Sequence, residues 1–169
     1  VLFYNLNYYI NDPTKVFYVW EGGLSFHGGL LGIIVTVYLF SKSKHFSFLT
    51  LTDLICASAP VGIFLGRISN FINAELYGRP TEVFIGIVFP NTEGLHRHPS
   101  QIYEALLEGL VVFIILNIMI HKYKKLNQTG FISGMFLVLY SLFRFLIEFT
   151  REPDIQVGYI LNYMTMGMI

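Results

Sequence analysis

Four long apolar runs constrain the fold of this chain more than any other feature of its sequence. They cover residues 24–40, 51–72, 99–120 and 131–149. A helix needs about 20 apolar residues to cross the hydrocarbon core of a bilayer, and these runs approach or reach that length. Only 13% of the residues are charged, compared with about 25% in soluble domains. We therefore predict an all-α polytopic integral membrane protein with about four complete transmembrane helices.

A polar insertion separates the second apolar run from the third. Residues 73–98 contain several glycines and prolines, which favour a segment outside the membrane, and we predict a small head there. Within it, residues 83–89 are rich in β-branched side chains and are predicted to form a strand. We treat residues 1–169 as a single integral-membrane domain. Because the sequence begins without methionine and stops as a new apolar run opens, we expect a piece of a longer protein, truncated at both ends.

The distribution of lysine predicts the orientation of the chain in the membrane. Five of the six lysines lie in two short connections, at residues 42–44 and 122–125. The positive-inside rule places both connections in the cytoplasm, so the predicted head is extracytoplasmic. The polar residues that then lie at or near the outer ends of the spans are His27, Arg67, Asn70, Asn73, His98, Gln101, Glu104, Arg144, Glu148 and Arg151.

Several of these residues recur at helical spacing and share a helix face. The three faces comprise Arg67, Asn70 and Asn73 on the second run, Gln101, Glu104 and Glu108 on the third, and Tyr140, Arg144, Glu148 and Arg151 on the fourth. Two arginines and two glutamates left unpaired at the membrane centre would together cost roughly 10 kcal/mol. We therefore predict that the charged residues pair with one another, lie near the membrane interface, or both.

The chemistry of these faces leaves two interpretations open. Arginine presents a planar fork that suits phosphate or carboxylate, and two arginines at headgroup depth favour the phosphate of a phospholipid as a ligand. The alternative is an ion-pair network that only fixes the packing of the helices.

The histidines also allow more than one interpretation. His27 precedes two glycines that permit close backbone approach, so it is either a general base beside a phosphate site or a residue that packs or caps a helix end. His96 and His98 have the spacing of neighbours on one strand face, but no cysteine or carboxylate set accompanies them. We therefore predict no metal and no cofactor. With a formal net charge of zero and no long basic tract, we also expect no nucleic-acid partner.

Four sequence blocks resemble the prolipoprotein diacylglyceryl transferase family. They are SFHGGLLG (25–32), GRISNFINAELYG (66–78), HPSQIYEA (98–105) and RFLIEFTREPD (144–154), and they occur in the family's order. The family comprises bacterial inner-membrane enzymes of seven helices. They move the diacylglyceryl group of phosphatidylglycerol onto the thiol of the lipobox cysteine of a prolipoprotein, which leaves a thioether and glycerol phosphate. Ser69 departs from the family, which usually has glycine at this position.

The resemblance implies a role for individual residues. The catalytic set would be His27, Tyr140, Arg144 and Glu148. The set that binds phosphatidylglycerol would be Arg67, Asn70, Asn73, Glu75, Gly78 and Arg151. Supporting residues would be His98, Gln101 and Glu104. Against the seven helices of the family, two N-terminal helices and most of the last one would be absent from this sequence.

The resemblance also implies the setting of the reaction. We expect a multi-pass protein of the bacterial cytoplasmic (inner) membrane whose active site faces the outer leaflet. Its partners would be phosphatidylglycerol, the signal peptides of prolipoproteins that carry a lipobox cysteine, and the surrounding membrane lipids. We expect the protein to be a monomer.

The expected reaction needs a base and an anion site. A free thiol has a pKa of about 8.5, so only a few per cent is thiolate at neutral pH, and a base such as His27 would raise the reactive fraction. The leaving glycerol phosphate would keep its charge against Arg144. A second functional class is a non-catalytic membrane scaffold that binds or transports phospholipids through the same arginines.

Overall fold

Helices form most of the described structure. The computed structural model describes residues 26–90 and 92–152, with the backbone alone at residues 26 and 27. Within these residues the helices are α1 (Phe26–Lys44), α2 (Phe48–Ile72), α3 (Ser100–His121) and α4 (Phe131–Glu148). Two short strands, β1 (Ile87–Val88) and β2 (His96–Arg97), lie between α2 and α3 and pair in antiparallel fashion.

The chain divides into two compact units, Val1–Leu51 and Thr52–Ile169. The described part of the first unit consists of α1, the connection after it and the start of α2. The second unit contains the rest of α2, both strands, α3 and α4. His27 lies in the first turn of α1, and its side chain is outside the described part of the chain.

Three of the described helices are long and apolar enough to cross a membrane. These are α2, α3 and α4, with mean hydropathies of 1.8, 2.0 and 1.7 in their most apolar windows. Their bounds agree with the predicted runs to within three residues at every end. The structure is thus that of a helical membrane protein, with α1 not among the three candidate spans.

The core of the second unit lies between α3 and α4. Val112 and Leu116 of α3 are fully buried together with Ile132 of α4, and Ala57 of α2 packs against them. Nearer the start of α3, Gly109 brings that helix close to α2, because a Cβ at this position would lie only 2.7 Å from the Cβ of Phe64. The three candidate spans therefore pack against one another through small residues and aliphatic side chains.

The middle of α3 is wound more loosely than an α-helix. Ala105–Val111 forms a π-helical segment between the α-helical stretches Ser100–Glu104 and Val112–His121. Such segments are rare and occur frequently at functional sites, because they change the rotation of the side chains that follow.

The connection between α2 and α3 has less sheet than the sequence predicts. The predicted strand over 83–89 is reduced to Ile87–Val88, which pairs with His96–Arg97. Gly86 donates its N–H to the carbonyl of Val83, so the chain makes a tight turn just before the strand. This turn shortens the strand because the residues before Gly86 are used to reverse the chain.

A buried carboxylate holds the beginning of α4. Asp53 of α2 is only 1% exposed, and its oxygens accept hydrogen bonds from the backbone N–H of Gly130 and of Ser133, both at 2.7 Å. The hydroxyl of Ser133 donates to the same carboxylate at 2.8 Å. Asp53 therefore caps the N-terminus of α4 from a neighbouring helix, where a negative charge also complements the helix dipole.

We expect Asp53→Ala in the full-length protein to lower the free energy of unfolding by about 2 kcal/mol, because two N–H groups of α4 lose their acceptor in a buried place. Thermal unfolding in detergent measures the effect. Ser58→Ala is a matched control, since Ser58 is an exposed residue of the same helix that bonds only to its own helix carbonyls. Equal unfolding temperatures for the two variants would contradict the capping role.

Candidate functional site

Three arginines converge on the carboxylate of Glu104, near the start of α3. Arg67 places Nε 2.6 Å from Glu104 Oε2. On the other carboxylate oxygen, Arg151 Nη1 lies at 2.5 Å and Arg144 Nη1 at 3.3 Å. The C-terminal end of α2, the N-terminal end of α3 and the C-terminal end of α4 thus meet at one buried acidic group.

Glu148 adds a second carboxylate to this arrangement. Its Oε2 lies 2.7 Å from Nη2 of Arg144, one helical turn earlier, and 3.7 Å from Nε of Arg151. We call these five residues, Arg67, Glu104, Arg144, Glu148 and Arg151, the arginine cluster. The pairing offsets much of the cost of placing these charges at the ends of apolar helices.

In the arginine cluster the acidic side chains are less exposed to solvent than the arginines. The side chains of Glu104 and Glu148 are 0% and 5% exposed, whereas those of Arg67, Arg144 and Arg151 are 22%, 18% and 11% exposed. A guanidinium has five N–H donors in a fixed fork, so the exposed edges of the arginines can bind an anion while their other donors face the carboxylates.

Glu108 lies one turn further along α3, inside the π-helical segment. Its side chain is fully buried, and no donor among the described residues forms a hydrogen bond to either of its carboxyl oxygens. The nearest cationic atom given by the structure, Nη2 of Arg67, is 4.0 Å from Glu108 Oε2, which is beyond hydrogen-bonding distance. Sequence analysis placed Glu108 on the same helix face as Glu104 but did not include it among the site residues. The spacing of four residues between the two glutamates was the signal that could have identified it.

The turn after α2 is tied to the start of α3. Gln101 donates from Nε2 to the carbonyl of Glu75 at 2.7 Å, and the hydroxyl of Ser100 donates to the carbonyl of Leu76 at 3.1 Å. Ala74 and Leu76 adopt positive φ angles of 54° and 57° in this turn. Gln101 therefore holds in place the backbone of the sequence block at 66–78, which we call the signature block.

Other predicted site residues of the signature block lie outside the arginine cluster. The side chains of Asn73 and Glu75 are exposed and approach each other at 3.4 Å. Asn70 is half-buried on α2, three residues after Arg67. The structure thus brings Arg67 to the arginine cluster, and it leaves the side chains of Asn73 and Glu75 at the surface.

Gly78 joins the connection between α2 and α3 to the end of α4. Its N–H donates to the carbonyl of His98 at 2.8 Å, and its backbone pairs with that of Arg151. A Cβ at Gly78 would overlap the carbonyl oxygen of Thr150. The absence of a side chain here lets two backbones approach closely and holds Arg151 at the arginine cluster.

Tyr140 and His98 are the two remaining predicted site residues whose side chains the structure describes. Tyr140 is half-buried on α4, one turn before Arg144, and its ring stacks on that of Phe136 at 5.8 Å. His98 places Nδ1 3.3 Å from the hydroxyl of Tyr103. Neither forms an ion pair with the arginine cluster among the described residues.

Comparison with known sequences shows the family of this chain. Residues 1–169 match the profile of a family described as prolipoprotein diacylglyceryl transferase. The chain belongs to this family. It is 53% identical over its whole length to the phosphatidylglycerol–prolipoprotein diacylglyceryl transferases of Rickettsia felis and Rickettsia akari. It is 49% identical to the protein of that name from Rickettsia bellii.

The chain spans 65% of the length of the two most similar of these relatives and 64% of the third. All five residues of the arginine cluster lie within the part that the chain shares with these members of the prolipoprotein diacylglyceryl transferase family. The arginine cluster is assembled from three helices and the start of the segment after α4, all in one compact unit.

For this family member we expect Gly78→Ala to lower the free energy of unfolding by about 1–3 kcal/mol, because the added methyl group meets backbone atoms that have little room to move. The variant should also show faster proteolysis of the connection between α2 and α3. Gly62→Ala is the control, since a Cβ at Gly62 meets no atom within 4 Å. If Gly78→Ala were as stable as Gly62→Ala, the close approach to Thr150 would not constrain the fold.

Proposed function

We propose that the full-length protein transfers the diacylglyceryl group of phosphatidylglycerol to the lipobox cysteine thiol of prolipoproteins. The products are a thioether-linked lipid and glycerol phosphate, and the protein is a phosphatidylglycerol–prolipoprotein diacylglyceryl transferase. The single observation that carries this proposal is the convergence of three partly exposed guanidiniums on buried Glu104 at the ends of apolar helices. The reaction that we assign to this site is the one for which the family is named.

The arginine cluster is suited to the phosphate of a membrane lipid. With Glu104 and Glu148 ionised, three arginines leave the cluster with a net charge of +1, which matches the single negative charge of a phosphodiester. Its position at the ends of apolar helices places that charge where a lipid headgroup meets the acyl chains. An arginine fork binds two phosphate oxygens at once, so it also orients the ester that reacts.

The remaining predicted residues receive their roles within the same proposal. His27 takes the proton of the attacking thiol, and Tyr140, Arg144 and Glu148 complete the catalytic set. The lipid site further includes Arg67, Asn70, Asn73, Glu75, Gly78 and Arg151. His98, Gln101 and Glu104 support it. In this proposal the base and the anion site are supplied by these side chains, without a metal or cofactor.

The proposed protein is a monomer in the bacterial inner membrane. Residues 1–169 belong to one integral-membrane domain in which α1 is a fourth span and residues 73–98 form an extracytoplasmic head. The two short connections that carry the lysines at 42–44 and 122–125 face the cytoplasm. The arginine cluster lies toward the outer leaflet.

Arg144→Lys tests the phosphate-binding role most directly. We expect the full-length variant to insert and accumulate near normally but to lose about a hundredfold or more in transfer rate, because an ammonium is a compact charge without the planar fork. The measurement is diacylglyceryl transfer to a lipobox peptide per mole of folded enzyme.

Arg97→Lys is the matched control for this variant. Arg97 belongs to β2 and pairs with Glu152, outside the arginine cluster. The control should retain most of the transfer rate. If Arg144→Lys transferred lipid at nearly the wild-type rate, the role of Arg144 would be limited to its structural ion pair with Glu148. That result would favour the alternative function, a non-catalytic membrane scaffold that binds phospholipids.

The proposed orientation is tested by single cysteines at Lys44, Glu93 and Lys124, each introduced into a Cys56→Ser background. All three positions are exposed. In intact cells a membrane-impermeant thiol reagent should label only the cysteine at position 93, and permeabilised cells should show labelling at all three. Labelling at 44 and 124 with protection at 93 would reverse the topology and the side of the active site.

A further inference from the structure

We propose that Glu108 is the general acid of the transfer reaction: a protonated carboxyl group that gives its proton to the phosphate oxygen as the diacylglyceryl carbon leaves it. This role rests on the proposed function and assigns to that reaction a residue whose part in it the family resemblance did not specify. It separates the binding of the phosphate, by the arginine cluster, from the protonation of the leaving group.

The first observation is the burial of an acidic group that has no hydrogen-bond partner among the described residues. The Glu108 side chain is 0% exposed, and neither carboxyl oxygen accepts a hydrogen bond from the described residues. An ionised carboxylate in such a place is strongly disfavoured unless it is paired and hydrogen-bonded. Arg67 does not provide that pairing, because its Nε lies 2.6 Å from Glu104 and its Nη2 remains 4.0 Å from Glu108.

The second observation is the set of charges around Glu108. They are Glu104 on the same helix, Arg67 on α2, and Arg144 and Arg151 at the end of α4, with the hydroxyl of Tyr140 also on that side. The three arginines are already engaged by Glu104 and Glu148. A neutral Glu108 leaves the cluster with a net charge of +1 for the lipid phosphate, whereas an ionised Glu108 would cancel that charge.

The third observation is depth. Glu108 follows Glu104 by four residues on a helix that runs away from the arginine cluster toward the middle of the span, so it lies about 6 Å deeper. A phospholipid whose phosphate sits at the arginines points its acyl chains in the same direction. Of its two ester oxygens, the one bonded to the diacylglyceryl carbon is therefore the one on the side of Glu108.

The backbone at Glu108 is also held in place. The π-helical segment Ala105–Val111 sets the rotation of its side chain, and the next residue, Gly109, packs directly against Phe64 of α2. A general acid must keep its geometry relative to the bond that breaks. A side chain flanked by a contact of this kind meets that requirement.

The proposed step balances in atoms and charge. The sulfur of the substrate cysteine forms a bond to the diacylglyceryl carbon, and the bond between that carbon and the phosphate oxygen breaks with its electrons going to oxygen. Glu108 protonates this oxygen, so glycerol phosphate leaves as a monoanion. The thiol gives one proton to its base, and Glu108 takes up one proton again after glycerol phosphate has left, so the cycle balances and no other reactant is needed.

The test compares Glu108→Gln with wild type in the full-length protein, reconstituted in phosphatidylglycerol vesicles with a lipobox peptide. Each enzyme is also assayed with a lipid analogue in which sulfur replaces the oxygen between the diacylglyceryl carbon and phosphorus. A thiophosphate leaves without needing a proton, so this substrate bypasses a general acid.

We expect Glu108→Gln to accumulate and unfold like wild type, since glutamine is a neutral isostere of the protonated acid. Its transfer rate with phosphatidylglycerol should fall about a hundredfold, a typical contribution of a general acid. With the sulfur analogue both enzymes should turn over at similar rates. Glu104→Gln is the matched control, and it should lose transfer with both lipids because it disorganises the arginines themselves.

Three results would overturn the role of Glu108: an unchanged rate with phosphatidylglycerol, an equal loss with both lipids, or failure of Glu108→Gln to accumulate. The last would mean that the protein needs a charge at this position. If wild type itself transferred no lipid, the proposed function would fall as a whole, and this outcome is distinct from a loss confined to the variant.

Discussion

The structure depends on one buried carboxylate that gathers three guanidiniums in an apolar setting. Glu104 draws one arginine from α2 and two from the end of α4 to the start of α3. Removing charges from water is costly, and only close pairing offsets that cost. Loss of Glu104 would leave three arginines with insufficient compensation at the ends of apolar helices. The same group therefore holds the helix ends together and shapes the site.

The fold fixes both ends of α4, which carries Arg144 and Glu148. At its beginning, Asp53 binds the first N–H groups of the helix. At its end, Thr150 accepts a hydrogen bond from the N–H of Arg79, so the connection between α2 and α3 holds the chain there. A helix held at both ends cannot rotate freely, and this is why side chains far from the Asp53 contact can keep their positions at the arginine cluster.

Sequence analysis predicted four spans, and the described residues contain three candidate spans at the expected positions, because a long apolar run is a local property. Helical spacing is also local, and it placed the charged residues of each run on one face. Sequence analysis could not identify Glu104 as the common partner of three arginines, since that choice depends on the rotation and depth of helices relative to one another. The π-helical segment around Glu108 changes that rotation and has no clear signature in the residues. Asp53 was missed because its role needs Gly130, which is distant in sequence. The position of the His27 side chain stays a prediction.

Tight pairing within the arginine cluster is compatible with the proposed reaction, in which a phosphate must bind and then be released. A phosphate that binds the exposed edges of the arginines leaves their other donors on Glu104 and Glu148, so its binding does not strip a buried carboxylate of its partner. In the proposed reaction, the difficult step is the release of glycerol phosphate. Cleavage turns a singly charged phosphodiester into a monoester that can carry two negative charges and bind the arginines more tightly. A proton delivered from Glu108 would keep the product at one negative charge. Glycerol phosphate would then leave arginines that are still paired with Glu104 and Glu148.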